Sequence, residues 1–240
     1  MPMNKERPIL MSAPMVSAIR KGLKTETRRL RGLNVLNAEP DAWVPMLPFE
    51  TELGFGFVRR DDPTTFTFVK SPYGKRGDRL WVKETWATIR DEDGCSIPEL
   101  TEMNECGPAS VFYRDTADHA TGKWRPSIFM PRWASRLDLE NKRAVPQRLW
   151  DMTLQDAEAE GAMPCPHRCA GSPEINLKMF GRTFLTEPEL PWCREPSGIY
   201  DCRKCGFRQL WNSIHAQTGH SFEKNPWVWV VGFEVVQHAH

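Results

Sequence analysis

The chain has 240 residues, a formal net charge of +1 and 26% charged residues. That length allows one large domain or two small ones, with roughly 70–75% of the unfolded surface removed from water. The ordinary charge content argues against disorder throughout, and the near-zero balance excludes a global basic field that would recruit nucleic acid.

No apolar run is long enough to span a bilayer, and the first eight residues lack the apolar core of a signal peptide, so a cytoplasmic protein with no membrane partner is expected. Residues 8–11 read as a short strand. Residues 13–21 follow as a helix with Met15, Val16 and Ile19 on one side, and Gly22 stops it. Residues 25–31 return as a strand. The stretch Lys24-Thr25-Glu26-Thr27-Arg28-Arg29 packs an amine, two hydroxyls, a carboxylate and two guanidiniums together. Thr25, Thr27 and Arg29 alternate with period two, so they share one face of an extended segment. Such a face suits an anionic or polar ligand; a solvated edge strand whose charges discourage pairing presents the same pattern.

Residues 32–70 are rich in Gly, Pro and Asp and read as an insertion with one alternating run at 65–69. Residues 72–78 form a turn cluster, and 79–88 read as a strand that alternates Leu80 and Val82 with Trp81 and Lys83. Residues 91–110 are acidic and loop-like, and 111–114 form a short strand. Residues 127–140 bend at Pro131, and 143–152 are again extended. Residues 153–161 are a short helix: Thr153 is the N-cap, Asp156 sits three residues on, and Gly161 closes it. Residues 162–205 break pattern and carry five cysteines. Residues 207–217 are an amphipathic helix with Leu210, Trp211 and Ile214 inward. Pro226 opens a final strand over 227–236, where Val228, Val230 and Phe233 demand burial within the sheet. There is no internal repeat. This irregular order fits an α+β fold, a small and mostly antiparallel barrel flanked by helices, better than a doubly wound parallel sheet.

Seven cysteines, an odd number, argue against a complete disulfide framework. Cys202-Arg203-Lys204-Cys205 has the spacing of a zinc knuckle, and Cys165-Pro166-His167-Arg168-Cys169 offers a second half. The expectation is one structural Zn2+ held by Cys165, Cys169, Cys202 and Cys205, with His167 or Cys193 as substitutes. A set of reduced cytosolic thiols would read the same way.

Four stretches in order carry a resemblance. They are Gly22-Leu23-Lys24-Thr25-Glu26-Thr27-Arg28, Lys75-Arg76-Gly77-Asp78-Arg79-Leu80-Trp81-Val82, the helix from Thr153 to Gly161, and Trp227-Val228-Trp229-Val230-Val231-Gly232-Phe233. Together they resemble the ASCH family, whose barrel is similar to that of PUA domains. The phrase Lys123-Trp124-Arg125-Pro126-Ser127-Ile128-Phe129-Met130-Pro131 is similar to a subgroup common in phage and prophage genomes. About half the chain matches; residues 32–70, 91–110 and 162–205 then read as insertions in a single domain spanning 1–240.

The resemblance implies a PUA-like cleft for a base or nucleotide. Family members include N4-acetylcytidine amidohydrolases, RNA-associated domains and a proposed ribonuclease lineage. In the amidohydrolases a lysine, a threonine and a glutamate carry the chemistry, and these match Lys24, Thr27 and Glu160 here. Thr27 would be the nucleophile, Lys24 its base and Glu160 the proton shuttle. The partner would be a modified nucleoside or single-stranded nucleic acid. As a non-catalytic reader, the chain would place Arg28 and Arg29 on phosphate and Trp81 or Trp86 on a base. Lys24 and Thr27 are three apart, so a shared site requires Lys24 to sit in the turn before the strand begins. Glu160 falls at a helix C-terminus, where the dipole disfavours its charge unless a cation pairs with it.

Overall fold

The structure is a computed structural model that describes residues 5–88, 111–117, 123–163 and 203–236. Its strands and helices, numbered in chain order, form a mixed α+β fold with mostly antiparallel sheets. Strand β10 (Trp227–Val236) organises the main sheet. Its β-branched and aromatic side chains fill both faces: Trp227, Trp229, Val231 and Phe233 enter one core, Val228 and Val230 another. Burial on both faces demands a central strand. Accordingly β9 (Asp138–Arg148) pairs antiparallel on one side and β2 (Glu26–Arg29) on the other. The sheet continues from β9 to β6 (Arg79–Lys83) and then to β1 (Glu6–Leu10), which pairs parallel with β6. Pro146 is tolerated in β9 because the pairing with β6 ends at Glu140, leaving β10 as the described neighbour of that half.

The first core lies between this sheet and a three-stranded antiparallel sheet, β3 (Trp43–Thr51), β4 (Gly54–Arg59) and β5 (Phe66–Val69). Edge-on ring contacts join the two layers, Phe57 to Trp227 at 4.9 Å and Phe55 to Trp229 at 5.5 Å between centroids. Leu33 and Leu36, the latter from α2 (Asn34–Ala38), complete the packing with Val16 and Ile19 of α1 (Ala13–Arg20). Residues 32–70 therefore contribute strands and buried rings to the main core. Pro45, Pro48 and Gly54 hide these strands in the sequence. β3 is an edge strand, where proline costs no ladder bond on its open side.

Three expectations change. Residues 79–88 split into β6 and β7 (Trp86–Thr88), and β7 pairs with β8 (Val111–Tyr113) in a separate ribbon. The break falls at Glu84, a buried carboxylate gripped by both arms of Arg136 at 3.0 and 2.9 Å. Residues 127–140 are not one bent strand; two single 3-10 turns precede β9, which then runs unbroken to Arg148. Helix α4 (Arg203–His215) buries Phe207 and Trp211, one turn apart, while Leu210 and Ile214 stand 47 and 49% exposed. The Phe207 and Trp211 rings stack at 5.8 Å over Val228 and Val230, and that pairing rotates the inward stripe.

Among the described residues the main sheet is open between β1 and β2, so no closed barrel is formed by them. Its edges still approach each other. Helix α1 connects them, and Arg29 Nη2 on β2 donates to the Leu10 carbonyl on β1 at 2.7 Å. No helix among the described residues is long and apolar enough to cross a membrane.

If residues 32–70 were an appended loop, truncating a ring within them would cost little. Phe57 is fully buried in the shared core, so Phe57→Ala should destabilise the whole fold by about 3–5 kcal/mol. Urea denaturation checks this.

Candidate active site

Two glycine caps build the site. Helix α1 ends with Leu23 N–H on Ala18 O at 2.8 Å and Gly22 N–H on Ile19 O at 2.9 Å. Helix α3 (Leu154–Ala159) ends the same way, Ala162 N–H on Ala157 O at 3.0 Å and Gly161 N–H on Glu158 O at 2.8 Å. Both glycines take φ above +70°, at 71° and 73°, a conformation that side chains with a Cβ resist. The first cap releases Lys24 into the turn before β2, as a shared site requires. The second presents Glu160 at the end of α3. An added Cβ on Gly161 would lie 3.4 Å from Lys24 Cβ and 3.6 Å from Ala18 Cβ, so the two caps are in contact.

Lys24 crosses this contact. Its Nζ donates to Glu160 Oε2 at 2.5 Å and to the Glu160 carbonyl at 2.8 Å. The carbonyl is one of those a helix leaves unbonded at its C-terminus, and Thr25 N–H takes another, Ala159 O, at 2.8 Å. The cation thus meets the negative end of α3 as well as a carboxylate. Thr153 and Asp156 exchange hydrogen bonds at the other end of α3 in the expected capping box.

Arg28 fixes the opposite side of Glu160. Its Nη1 lies 2.8 Å from Glu26 Oε1 and 3.4 Å from Glu160 Oε1. Its Nη2 stands 3.3 Å from Asp156 Oδ2, as an ion pair without hydrogen-bond geometry. Arg143, next to the β10 bulge at Gly232, reaches Glu26 Oε2 at 3.2 Å. The result is a chain of alternating charge, Lys24–Glu160–Arg28–Glu26–Arg143, buried apart from its last member.

Burial pushes the Lys24 ammonium below its ordinary 10.5; Glu160 opposes this, while Arg29 and Arg28 add to it. Burial likewise raises the Glu26 carboxyl above its ordinary 4.5, against the pull of Arg28 and Arg143. A neutral amine is therefore easier to reach at Lys24 than at a surface lysine.

Of the other site candidates, Arg28 joins this cluster and the rest do not. Thr27 is buried on β2, but strand alternation turns it toward Val231 and Arg29, away from Glu26 and Arg28. Its hydroxyl makes no hydrogen bond among the described residues, and Lys24 Nζ is taken up by Glu160. Arg28, expected on phosphate, has a fully buried side chain spent on carboxylates. Arg29 is half-buried and reaches Leu10 O and, at 3.0 Å, Met11 Sδ. Thr25 is exposed, so Thr25, Thr27 and Arg29 do not form one uniform face, and β2 is no solvated edge strand. Trp81 sits on β6, with β9 and β10 between it and β2 in the sheet order, and Trp86 sits on β7 in the separate ribbon. Trp86 is buried with Met130 and Ala134, and Trp81 is half-buried under Lys83 and Arg132. Cys165, His167, Cys169, Cys193 and Cys202 lie outside the described residues. Cys205 stands in the first turn of α4, and no group of three or more potential metal ligands occurs among the described residues.

Three participants were not singled out from sequence. Glu26 lies inside the first motif, and its cap role alone accounts for Asp156 in the sequence. Arg143 carries no local signal, since only the register of β9 against β10 brings it opposite Gly232. Comparisons with protein-family models, curated proteins and solved structures find no match to this chain.

Two outcomes follow from this geometry. Gly161→Ala should cost about 1–2 kcal/mol from the left-handed backbone alone, read by urea denaturation. For Glu26 the folded pKa is the higher one, so the folded protein keeps a proton the unfolded chain has lost. Stability from this group is present below pH 4.5 and is lost as pH rises through the raised folded value. Glu26→Gln should lack that decline, so the difference between wild-type and variant stability should fall as pH rises across this window.

Proposed function

We propose that this chain is a cytoplasmic ASCH-type protein with a PUA-like fold that hydrolyses the amide on N4 of an acylated cytidine such as N4-acetylcytidine. The observation that carries the reading is the buried Lys24–Glu160 pair at the junction of two capped helices. It unites two of the three residues matched to the amidohydrolases, and Lys24 is shifted toward its neutral form. The near approach of the sheet's two edges supports the barrel.

In this reading the free amine of Lys24 takes the Thr27 proton while the oxygen attacks the acyl carbon. The oxyanion collapses, the N4 amine leaves with a proton passed from Lys24 through Glu160, and water hydrolyses the acyl-threonine ester. Substrate binding must then draw Lys24 Nζ from Glu160 to the Thr27 hydroxyl, within roughly 3 Å or one water. The unmade Lys24–Thr27 hydrogen bond favours a second reading, a pocket that binds a modified base without cleaving it. We further propose one structural Zn2+ on Cys165, Cys169, Cys202 and Cys205. The spacing of Cys202 and Cys205 supports it, and elemental analysis finding no zinc in metal-replete protein would remove it.

Incubation with acylated cytidines, followed by mass spectrometry of the nucleosides, tests the enzyme. Lys24→Ala should abolish turnover while leaving substrate binding, since a base acts in the transition state. The wild-type rate should rise with pH through an ionisation below 10.5. Should Lys24→Ala, Thr27→Ala and Glu160→Ala all turn over at the wild-type rate, or wild type cleave no acyl group, the binding pocket is the better reading.

A further inference from the structure

The β1–β6 end of the main sheet carries a second concentration of cations and rings. Residues 125–134 lie against it and are firmly pinned. Arg125 and Trp86 exchange backbone hydrogen bonds at 2.8 and 3.3 Å. Met130 is buried, its sulfur 3.2 Å from Glu84 N–H, and Arg132 Nη2 holds Asp138 Oδ2 at 2.7 Å. Lys83 Nζ donates to the Ile128 carbonyl. Yet Ile128, Phe129 and Trp133 of this same segment are 59, 70 and 46% exposed. Leu10, the register partner of Lys83, is exposed beside them. A pinned turn that buries a methionine and displays a phenylalanine, an isoleucine and a tryptophan is an apolar patch in a fixed shape.

The cations there are held by rings. Lys83 Nζ stands 5.4 Å from the Trp81 centroid and Arg125 Cζ 5.4 Å from that of Trp86. Trp86 in turn meets Trp133 edge-on at 5.9 Å. A ring holds a cation without cancelling its charge, as a carboxylate would. Arg125 is exposed and reaches the patch through Trp86 and Trp133, and Lys123, exposed two residues before it, adds a second cation in sequence.

We propose that this surface docks a short single-stranded nucleic acid, with bases stacked on Phe129 and Trp133 and phosphates at Lys123, Arg125 and Lys83. Flat rings open to solvent beside uncancelled cations match a strand whose bases are unstacked; a duplex hides its base faces. A net charge of +1 limits the number of phosphates held. The proposal is independent of the hydrolase reading, since none of these residues belongs to the Lys24–Glu160 cluster.

Fluorescence anisotropy with labelled oligo-uridylate and oligo-thymidylate of roughly ten nucleotides, against a hairpin duplex, tests it with the full chain. Single strands should bind and the duplex should bind more weakly. The double variant Phe129→Ala/Trp133→Ala should lose about tenfold or more in affinity. Phe129→Leu/Trp133→Leu, which keeps apolar bulk, should lose a similar factor. Lys123→Ala/Arg125→Ala should reduce the log–log salt slope by about 1.4, two contacts on a single strand. Leu210→Ala on α4 should bind as wild type, and circular dichroism confirms the fold of each variant. Absence of oligonucleotide binding at low salt overturns the proposal. So does duplex affinity equal to that of single strands, full affinity in both ring variants, or binding of acidic peptides alone.

Discussion

Lys24 and Glu160 lie 136 residues apart in the chain, and their side chains meet at 2.5 Å inside the protein. Removing two charges from water costs several kcal/mol each, and their mutual attraction repays it only when the remaining donors and acceptors are also satisfied. Here they are met on several sides. Lys24 has the carboxylate and a helix-end carbonyl; Glu160 has Lys24 on one oxygen and Arg28 on the other. Breaking the pair from either side strands a buried charge, so the position of α3 against α1 is specified by electrostatics as well as packing. The two glycines serve the contact through their positive φ: Gly161 closes α3 with only ordinary contact room beside Lys24, and Gly22 turns the chain so that Lys24 can point inward.

The same charges solve a problem for β2. As the last strand of the main sheet it presents an edge, which native sheets usually blunt with exposed charge. Here Glu26 and Arg28 are buried against α3 and Arg143 instead, and Thr27 against the other face. A second buried carboxylate system, Glu84 and Asp115 sharing Arg136 with Arg20 on α1, ties β7, β8 and α1 together. Helix α1 therefore carries ion pairs to two neighbours, Arg20 to the β7–β8 ribbon and the turn of Lys24 to α3. A helix of eight residues has little intrinsic stability, so these contacts and the burial of Val16 and Ile19 hold it.

What could be read in advance was local. Helix α3 announced itself through Thr153, Asp156 and Gly161, a cap pattern that needs no tertiary partner, and β10 through a run of residues that only a central strand can bury. Residues 43–59 were not legible because Pro45, Pro48 and Gly54 are turn signals in isolation; an edge strand and a hairpin tolerate them, and only the sheet context says so. Helix α4 was legible as a helix but not in its rotation, since Leu210 and Phe207 are both apolar and only the partner surface chooses between them. In the candidate site, Lys24 and Glu160 came from matched motifs, and the condition that Lys24 sit in the turn came from strand geometry. Arg143 could not have been found, because its role depends on a register.

Burial dominates the energetics of the centre, and Arg28 modulates them. Without Arg28, Glu160 would sit at the negative end of α3 with one cation, and its full charge would hold the proton on Lys24. Arg28 draws on one Glu160 oxygen while sharing itself with Glu26, and it repels the ammonium directly. It therefore weakens the hold of the carboxylate on the lysine without removing it. Glu26, whose carboxyl is itself raised by burial, in turn limits how strongly Arg28 can act. Burial is the largest influence on the Lys24 amine and lowers its pKa, while along the chain each charge is stabilised by one neighbour and moderated by the next.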